Sequence, residues 1–284
     1  MPDVATEPVV QPALVERTLT KLGFSGWPAL DVAGLITLFD AYSGSVPFDN
    51  LRKRIWISGD QREPLPGTDP NDFFENWFRH GTGATCWPSN GALFALLRAM
   101  GFDSRRIAGT ILIEGLPGPN HGSVIVRLNG ADYLVDGNLG AFGVLRLEPG
   151  ASSRTGTGIN EVRAVPYGRT WDVLWYAGHN RVDPFTFRLQ PEYDPVDHQF
   201  FVERYDHTLG ASPFNESLYI VRRFRDEIVT IGRNNKLVVK KDGTLTCSEI
   251  TEHERRTALV EELGISEEVA SMVPPDVAGA TSLF

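Results

Sequence analysis

The chain has 284 residues, 42% of them hydrophobic and 22% charged, with a formal net charge of −9. That length and apolar content support one large domain or two to three packed subdomains around a sizeable core. The acidic balance argues against nucleic-acid binding, and no apolar stretch reaches the roughly 18 residues of a membrane span.

Met1 to Pro12 lacks the basic and apolar regions of a signal peptide and reads as a short disordered tail. Leu14 to Leu22 and Val32 to Tyr42 carry apolar residues at three- and four-residue spacing, which predicts helices, the second capped by Asp31. The basic run Arg52-Lys53-Arg54 reads as a solvated strand or helix edge. Gly59 to Pro70 is rich in Pro, Gly and Asp and reads as loop. Asp69-Pro-Asn-Asp72 announces a further helix over Phe73 to Phe78. The clearest helix is Asn90 to Met100, apolar around most of its circumference and stopped by Gly101.

Beyond Gly101 the pattern changes to short strands. These cover Arg105–Ile113, Ser123–Leu128, Ala131–Asp136 and Val144–Leu147. Gly150 to Asn160 reads as a connection. Further strands follow at Thr170–Tyr176, Phe185–Leu189, Leu218–Phe224, Glu227–Ile231, Lys236–Lys240 and Thr244–Glu249, with a hairpin at Asp242-Gly243. The second basic run, Arg222-Arg223-Phe224-Arg225, reads as solvated. Helices at Glu252–Leu263 and near Glu267 close the chain. Helices first, strands next and a mixed end predict an α+β fold.

Two cysteines without an export signal are expected as free thiols in a reducing cytoplasm. No CxxC, HExxH or dense ligand cluster is present, so no metal site is expected. Neither phosphate-loop nor dinucleotide glycine signature occurs.

Cys86 stands out. It follows the glycine-rich segment His80-Gly-Thr-Gly-Ala-Thr85, and Pro88 must lie in a first helical turn, because deeper in a helix it would break the ladder. Cys86 is then at a helix start, where unpaired N–H groups and the dipole favour a thiolate and an oxyanion. Downstream, an Asn129-Gly130 turn pairs Leu128 with Ala131, Arg127 with Asp132 and Ile125 with Leu134, while Val124–Val135 and Val126–Tyr133 share the opposite face. In this register His121 shares the face of Asp136 as a diagonal neighbour, roughly 7–8 Å away at Cα. Asp136 then orients His121 as the base for Cys86, the nucleophile–base–orienter arrangement. Each residue alone has a plainer reading: a small apolar side chain, a satisfied strand-end histidine, a strand-end cap. Together they favour catalysis. Cys247 reads as structural. His80, His179, His198, His207 and His253 show no such arrangement, and Asp197-His198 and Asp206-His207 would diverge on a strand.

Several stretches resemble the arylamine N-acetyltransferase family. Val46-Pro-Phe-Asp-Asn-Leu51 is similar to its N-terminal "(I/V)PFEN" segment, Cys86 with Asn90 to its nucleophile motif, and His121 with Tyr133-Leu-Val-Asp136 to its base and acid motifs, fifteen positions apart. Gly101-Phe102, Arg105-Arg106-Ile107 and Ser212-Pro213-Phe214 match less specific flanks. The resemblance implies three parts after the tail at 1–12: a helical bundle (13–101) carrying the nucleophile, a β-barrel (102–205) carrying His121 and Asp136, and an α/β lid (206–284). It further implies a cysteine-protease-like Cys-His-Asp core, no tightly bound cofactor, and acyl transfer from an acetyl-coenzyme A-like thioester to a small-molecule amine. Phe48, Trp87, Leu139 and Phe142 are candidates to line the substrate pocket. Departures surround the triad. Thr82-Gly-Ala-Thr85 stands where the family has Arg-Gly-Gly-aromatic, Pro88 where it has an acidic or amide residue, and Gly137-Asn-Leu-Gly140 where it has Val-Gly-Phe-Gly. They keep open an amide synthase of secondary metabolism fed by carrier-protein pantetheine, with an acyl carrier protein as partner. A cysteine hydrolase and a catalytically silent binding protein are lesser alternatives.

Overall fold

Apolar residues at helical spacing build the first part of the chain in this computed structural model, which describes residues 7–139, 142–156, 158–175 and 183–279. α1 (Pro12–Lys21) starts on a proline, and α2 (Val32–Ser45) is capped by Asp31, which accepts from the Gly34 N–H at 2.8 Å. β1 (Phe48–Asp49) leads into α3 (Leu51–Ser58). α4 (Pro70–His80) is capped by Asp69, and α5 (Cys86–Ala99) is the central buried helix. Leu35, Phe39, Phe73, Trp77, Leu93 and Leu97 form one core, which Val124 and Val126 enter from the strands that follow.

Those strands are β2 (Ser104–Ile111), β3 (His121–Leu128), β4 (Ala131–Val135), β5 (Leu145–Leu147), β6 (Ser153–Thr155), β7 (Val162–Tyr167), β8 (Thr170–Trp175) and β9 (Phe185–Leu189). They form one antiparallel sheet in the order β5-β4-β3-β2-β9-β8-β7-β6. The Ser153 hydroxyl donates to the Arg146 carbonyl and ties the two edge strands together, so the barrel is nearly closed. Ile107, Ile125, Leu134, Val173 and Phe187 fill its interior. Successive β3 residues thus serve two cores: Ile125 faces the barrel, Val124 and Val126 face the helices.

α6 (His198–His207) returns to α5, its Phe201 ring meeting Trp87 at 5.1 Å. β10 (Tyr219–Arg223), β11 (Glu227–Gly232), β12 (Asn235–Lys240) and β13 (Leu245–Glu249) form a second antiparallel sheet, which β1 joins as an edge against β10. α7 (Glu252–Thr257) is opened by a Thr251–Glu254 capping box, and Ala258, Leu259 and Leu263 just after it, with Val269 and Ala270 of α8 (Glu267–Met272), cover the sheet. The α+β architecture of helical bundle, barrel and C-terminal lid is the expected one. Among the described residues no helix is long and apolar enough to cross a membrane.

Several local expectations are corrected. The tail reading fails from residue 7 onward: Val10 is 1% exposed in the helical core, and Glu7 pairs with the buried Arg106. The connection at 150–160 contains β6, and β7 follows it, both too short or too polar to stand out from composition. The strand at Thr170 ends at Trp175 among the described residues. Asp197-His198 and Asp206-His207 belong to helix α6, where Asp197 is the N-cap and accepts from the Phe200 N–H at 2.8 Å. Neither basic run is a solvated edge, because Lys53, Arg54 and Arg223 are all buried. Arg54 is matched by Asp276 at 2.7 Å. Cys247 lies exposed on edge strand β13, and both cysteines are unpaired. The expectations for residues 1–6, Gly140, Tyr176 and His179 fall outside the described residues.

Candidate active site

Cys86 is the first residue of α5, and Pro88 sits in the same turn. The preceding Thr85 does not cap the helix; its hydroxyl bonds to Tyr205 instead. The first-turn N–H groups beside Cys86 are therefore left without a side-chain cap. Cys86 Sγ lies 3.9 Å from the carbonyl of Asn120, the residue before His121, and Cys86 and His121 border one cavity. The β3–β4 register is the one expected from the turn: Leu128 faces Ala131, Arg127 faces Asp132, Ile125 faces Leu134. At its open end His121 Nε2 meets Asp136 Oδ2 at 2.7 Å. Because Nε2 is engaged there, Nδ1 is the ring nitrogen left for Cys86.

The imidazole and carboxylate are almost fully buried. Burial opposes the charge on His121, but the charges of Asp136 and Cys86 and hydrogen bonds to both outweigh it and raise its pKa to about 10. Burial likewise pushes Asp136 up, and the His121 charge with hydrogen bonds from His121, Asn90 and Asn138 pulls it below the usual carboxylate range. The edge of the His121 ring packs on Phe187 at 4.7 Å between centroids.

A set of buried polar residues holds this row in place. Asn90, one helical turn after Cys86, donates to the Gly122 carbonyl at 2.7 Å and to Asp136 Oδ1 at 3.0 Å, and accepts from the Gly137 N–H at 3.1 Å. Arg223 Nη1 reaches the Gly137 carbonyl at 2.8 Å from the second sheet. Asp49 accepts from the Gly83 N–H at 2.6 Å and the Leu51 N–H at 3.0 Å, so it pins the glycine-rich approach to Cys86 onto α3. Burial raises Asp49 to about 6 against these hydrogen bonds. Sequence reasoning assigned no role to Asp49, Asn50, Lys53 or Arg223. For Asn90 a signal was available, since residues four apart share a helical face and Cys86 fixes which face matters.

Cys86 and His121 open onto a cavity of about 250 Å³. Its barrel wall is apolar, with Ile111, Ile113, Trp175 and Phe185; Phe48 and Phe214 face it from the other side. Of the expected lining residues, Phe48 and Leu139 border this cavity. Trp87 also borders it, while its ring packs against Phe200 and Phe201 of α6. Phe142 does not: it lines a separate cavity with Asp40, Gly44 and Arg225.

A helical bundle whose central helix begins at a cysteine, set against a nearly closed eight-strand barrel and a sheet-and-helix lid, is the fold of the N-acetyltransferases. The family model described as N-acetyltransferase matches residues 31–272. The chain belongs to the arylamine N-acetyltransferase family. It is 29% identical over 147 residues to an arylamine N-acetyltransferase of Mycolicibacterium smegmatis, covering 48% of this chain and 51% of that protein. The chain thus matches about half the length of this curated relative. Among solved structures, the M. smegmatis arylamine N-acetyltransferase superposes with a TM-score of 0.74 at 22% identity, covering 90% of this chain and 95% of that one. The Mycobacterium marinum enzyme in complex with CoA gives 0.76 at 17% identity, covering 91% and 98%. These structural likenesses show the shared fold.

Proposed function

We propose that the protein transfers an acyl group from a coenzyme A-type thioester to an amine through an acyl-cysteine on Cys86. The observation that carries this reading is the His121–Asp136 hydrogen bond at 2.7 Å with Cys86 and His121 on the wall of one apolar cavity. His121 Nδ1 takes the thiol proton, and Asp136 holds the Nε2–H and the imidazolium charge. The thiolate adds to the thioester carbonyl carbon, and the carbonyl electron pair moves onto oxygen, near the uncapped N–H groups of the first α5 turn. Collapse breaks the carbon–sulfur bond to the donor, whose thiolate leaves with the proton from His121. An amine then attacks the acyl-cysteine, His121 accepts its proton, and collapse expels the Cys86 thiolate and releases the amide. No step requires a metal or a redox cofactor.

Membership of the family supports acetyl-coenzyme A as donor. The apolar cavity wall suits a bulkier acyl group as well, and a second reading is such a group delivered as a pantetheine thioester. One experiment separates them: intact mass spectrometry after incubation with acetyl-coenzyme A or a bulky acyl-pantetheine, with Cys86→Ala as control. A Cys86-dependent acetyl adduct is expected. An adduct from the bulky thioester alone selects the second reading, and equal labelling of Cys86→Ala rules out the acyl-cysteine.

A further inference from the structure

Acyl transfer by Cys86, His121 and Asp136 leaves one charge in the cavity without a use. Lys53 of α3 lines the same cavity as Cys86 and is 3% exposed. Its Nζ donates to Thr208 Oγ1 at 2.6 Å and stands 5.5 Å from the Tyr205 ring centre. The Thr208 hydroxyl itself donates to the Tyr205 carbonyl at 2.6 Å. An ammonium has three donors, and among the described residues no carboxylate forms an ion pair with this one. Burial lowers its pKa to about 8, and Cys86 alone opposes that fall. Burying an ammonium without a counterion costs several kcal/mol, about, whereas an apolar side chain of similar length would fill the space freely.

The other charges of the site cancel in pairs. His121 faces Cys86, and Arg223 feels the Asp136 carboxylate. Among the described residues no Asp or Glu lines the cavity. In a chain of net charge −9, Lys53 is thus an uncompensated positive charge beside the nucleophile. Its imbalance grows once acylation removes the charge of Cys86. The Thr208 hydroxyl is committed, accepting from Lys53 and donating to the Tyr205 carbonyl, so a single ammonium with donors to spare faces the cavity; it suits a singly charged anion, and the second charge of a phosphate monoester would stay unpaired.

We propose that Lys53, held in place by its hydrogen bond to Thr208, recognises a carboxylate on the substrate, so that the enzyme selects an acyl group or an amine bearing an organic acid. This rests on the acyl-transfer reading above. The carboxylate belongs either to the amine or to the acyl group, and the test has an arm for each.

Binding is measured by titration calorimetry on Cys86→Ala, so that no turnover is needed. The amine arm compares 4-aminobenzoate with 4-aminobenzamide. The acyl arm compares succinyl-pantetheine with pentanoyl-pantetheine. In one arm the acid is expected to bind more tightly than its neutral partner by about 10- to 100-fold, the range of a charged hydrogen bond. Adding Lys53→Met should erase that ratio, and adding Lys53→Arg should keep most of it. The arm showing the ratio identifies the partner that carries the carboxylate. Ratios within about twofold of unity in both arms, or a ratio that survives Lys53→Met, overturn the proposal. Failure of acyl transfer would appear as absence of a Cys86 adduct, which this binding ratio does not read, so the two readings fail separately.

Discussion

Every oxygen of Asp136 is engaged: Oδ2 by His121, Oδ1 by the Asn90 amide at 3.0 Å and the Asn138 N–H at 2.9 Å. The carboxylate is thereby fixed as an acceptor, and the imidazole against it keeps its proton. The pKa of His121 is raised to about 10, against about 6.5 in an unfolded chain. A histidine raised in this way stabilises the fold fully below about pH 6.5, and that contribution is lost as pH climbs toward about 10. Lys53, lowered by burial to about 8, has the opposite slope, so the two are separated by subtraction. The stability difference between wild type and His121→Gln, from guanidinium denaturation, is expected to be largest near pH 6 and to shrink steadily up to pH 10. A difference that stays constant or grows over that window would show that His121 is not held as an imidazolium.

At the scale of elements, the parts legible in the sequence are those whose signal is local. The Asn129-Gly130 turn dictates which residues of β3 and β4 face each other, and the observed pairs are those the turn requires. Asp31 and Asp69 cap the helices they precede. Helices α3 and α6 escaped because their periodicity is masked by charged residues, whose burial depends on partners more than 150 positions away, such as Thr208 for Lys53 and Asp276 for Arg54. The approach of Cys86 to His121 was illegible for the same reason: it depends on how β3 packs on α5. That packing is close at Gly122, where a Cβ would stand 2.4 Å from the Trp87 ring and 2.8 Å from that of Phe201. Gly122→Ala is expected to force β3 off α5, with a cost of about 1–3 kcal/mol from overpacking. It should also slow acylation of Cys86, although residue 122 touches no substrate in the proposed mechanism. Thermal melting and the rate of adduct formation check both parts. A variant as stable and as fast as wild type would mean that α5 and β3 can separate without disturbing the site.

Over the whole molecule, the site depends on a lid assembled from the far end of the chain, and Asn50 is the joint. It lies between β1 and α3 and is 1% exposed. Its amide donates to the Phe214 carbonyl at 2.8 Å and the Ser217 carbonyl at 2.7 Å, and its carbonyl accepts from the Tyr219 N–H at 2.9 Å. β1 itself pairs with β10, and β10 ends in Arg223, which holds the Gly137 carbonyl beside Asp136. The same joint sets Phe48 against Phe214 at 5.1 Å between ring centres, both on the cavity wall. Asn50→Ala strands two carbonyls and one N–H in a buried setting, at a cost of roughly 1–3 kcal/mol for each group that water cannot reach. The loss falls on the attachment of the second sheet, because α5 and the barrel keep their own cores. Hydrogen exchange should therefore speed up across β10 and β11 first, while β3 and α5 stay protected. Acylation of Cys86 is expected to fall in step, since Arg223 and Phe214 move with the sheet. Uniform loss of protection across bundle, barrel and lid would instead make Asn50 a determinant of global stability, with no special hold on the lid.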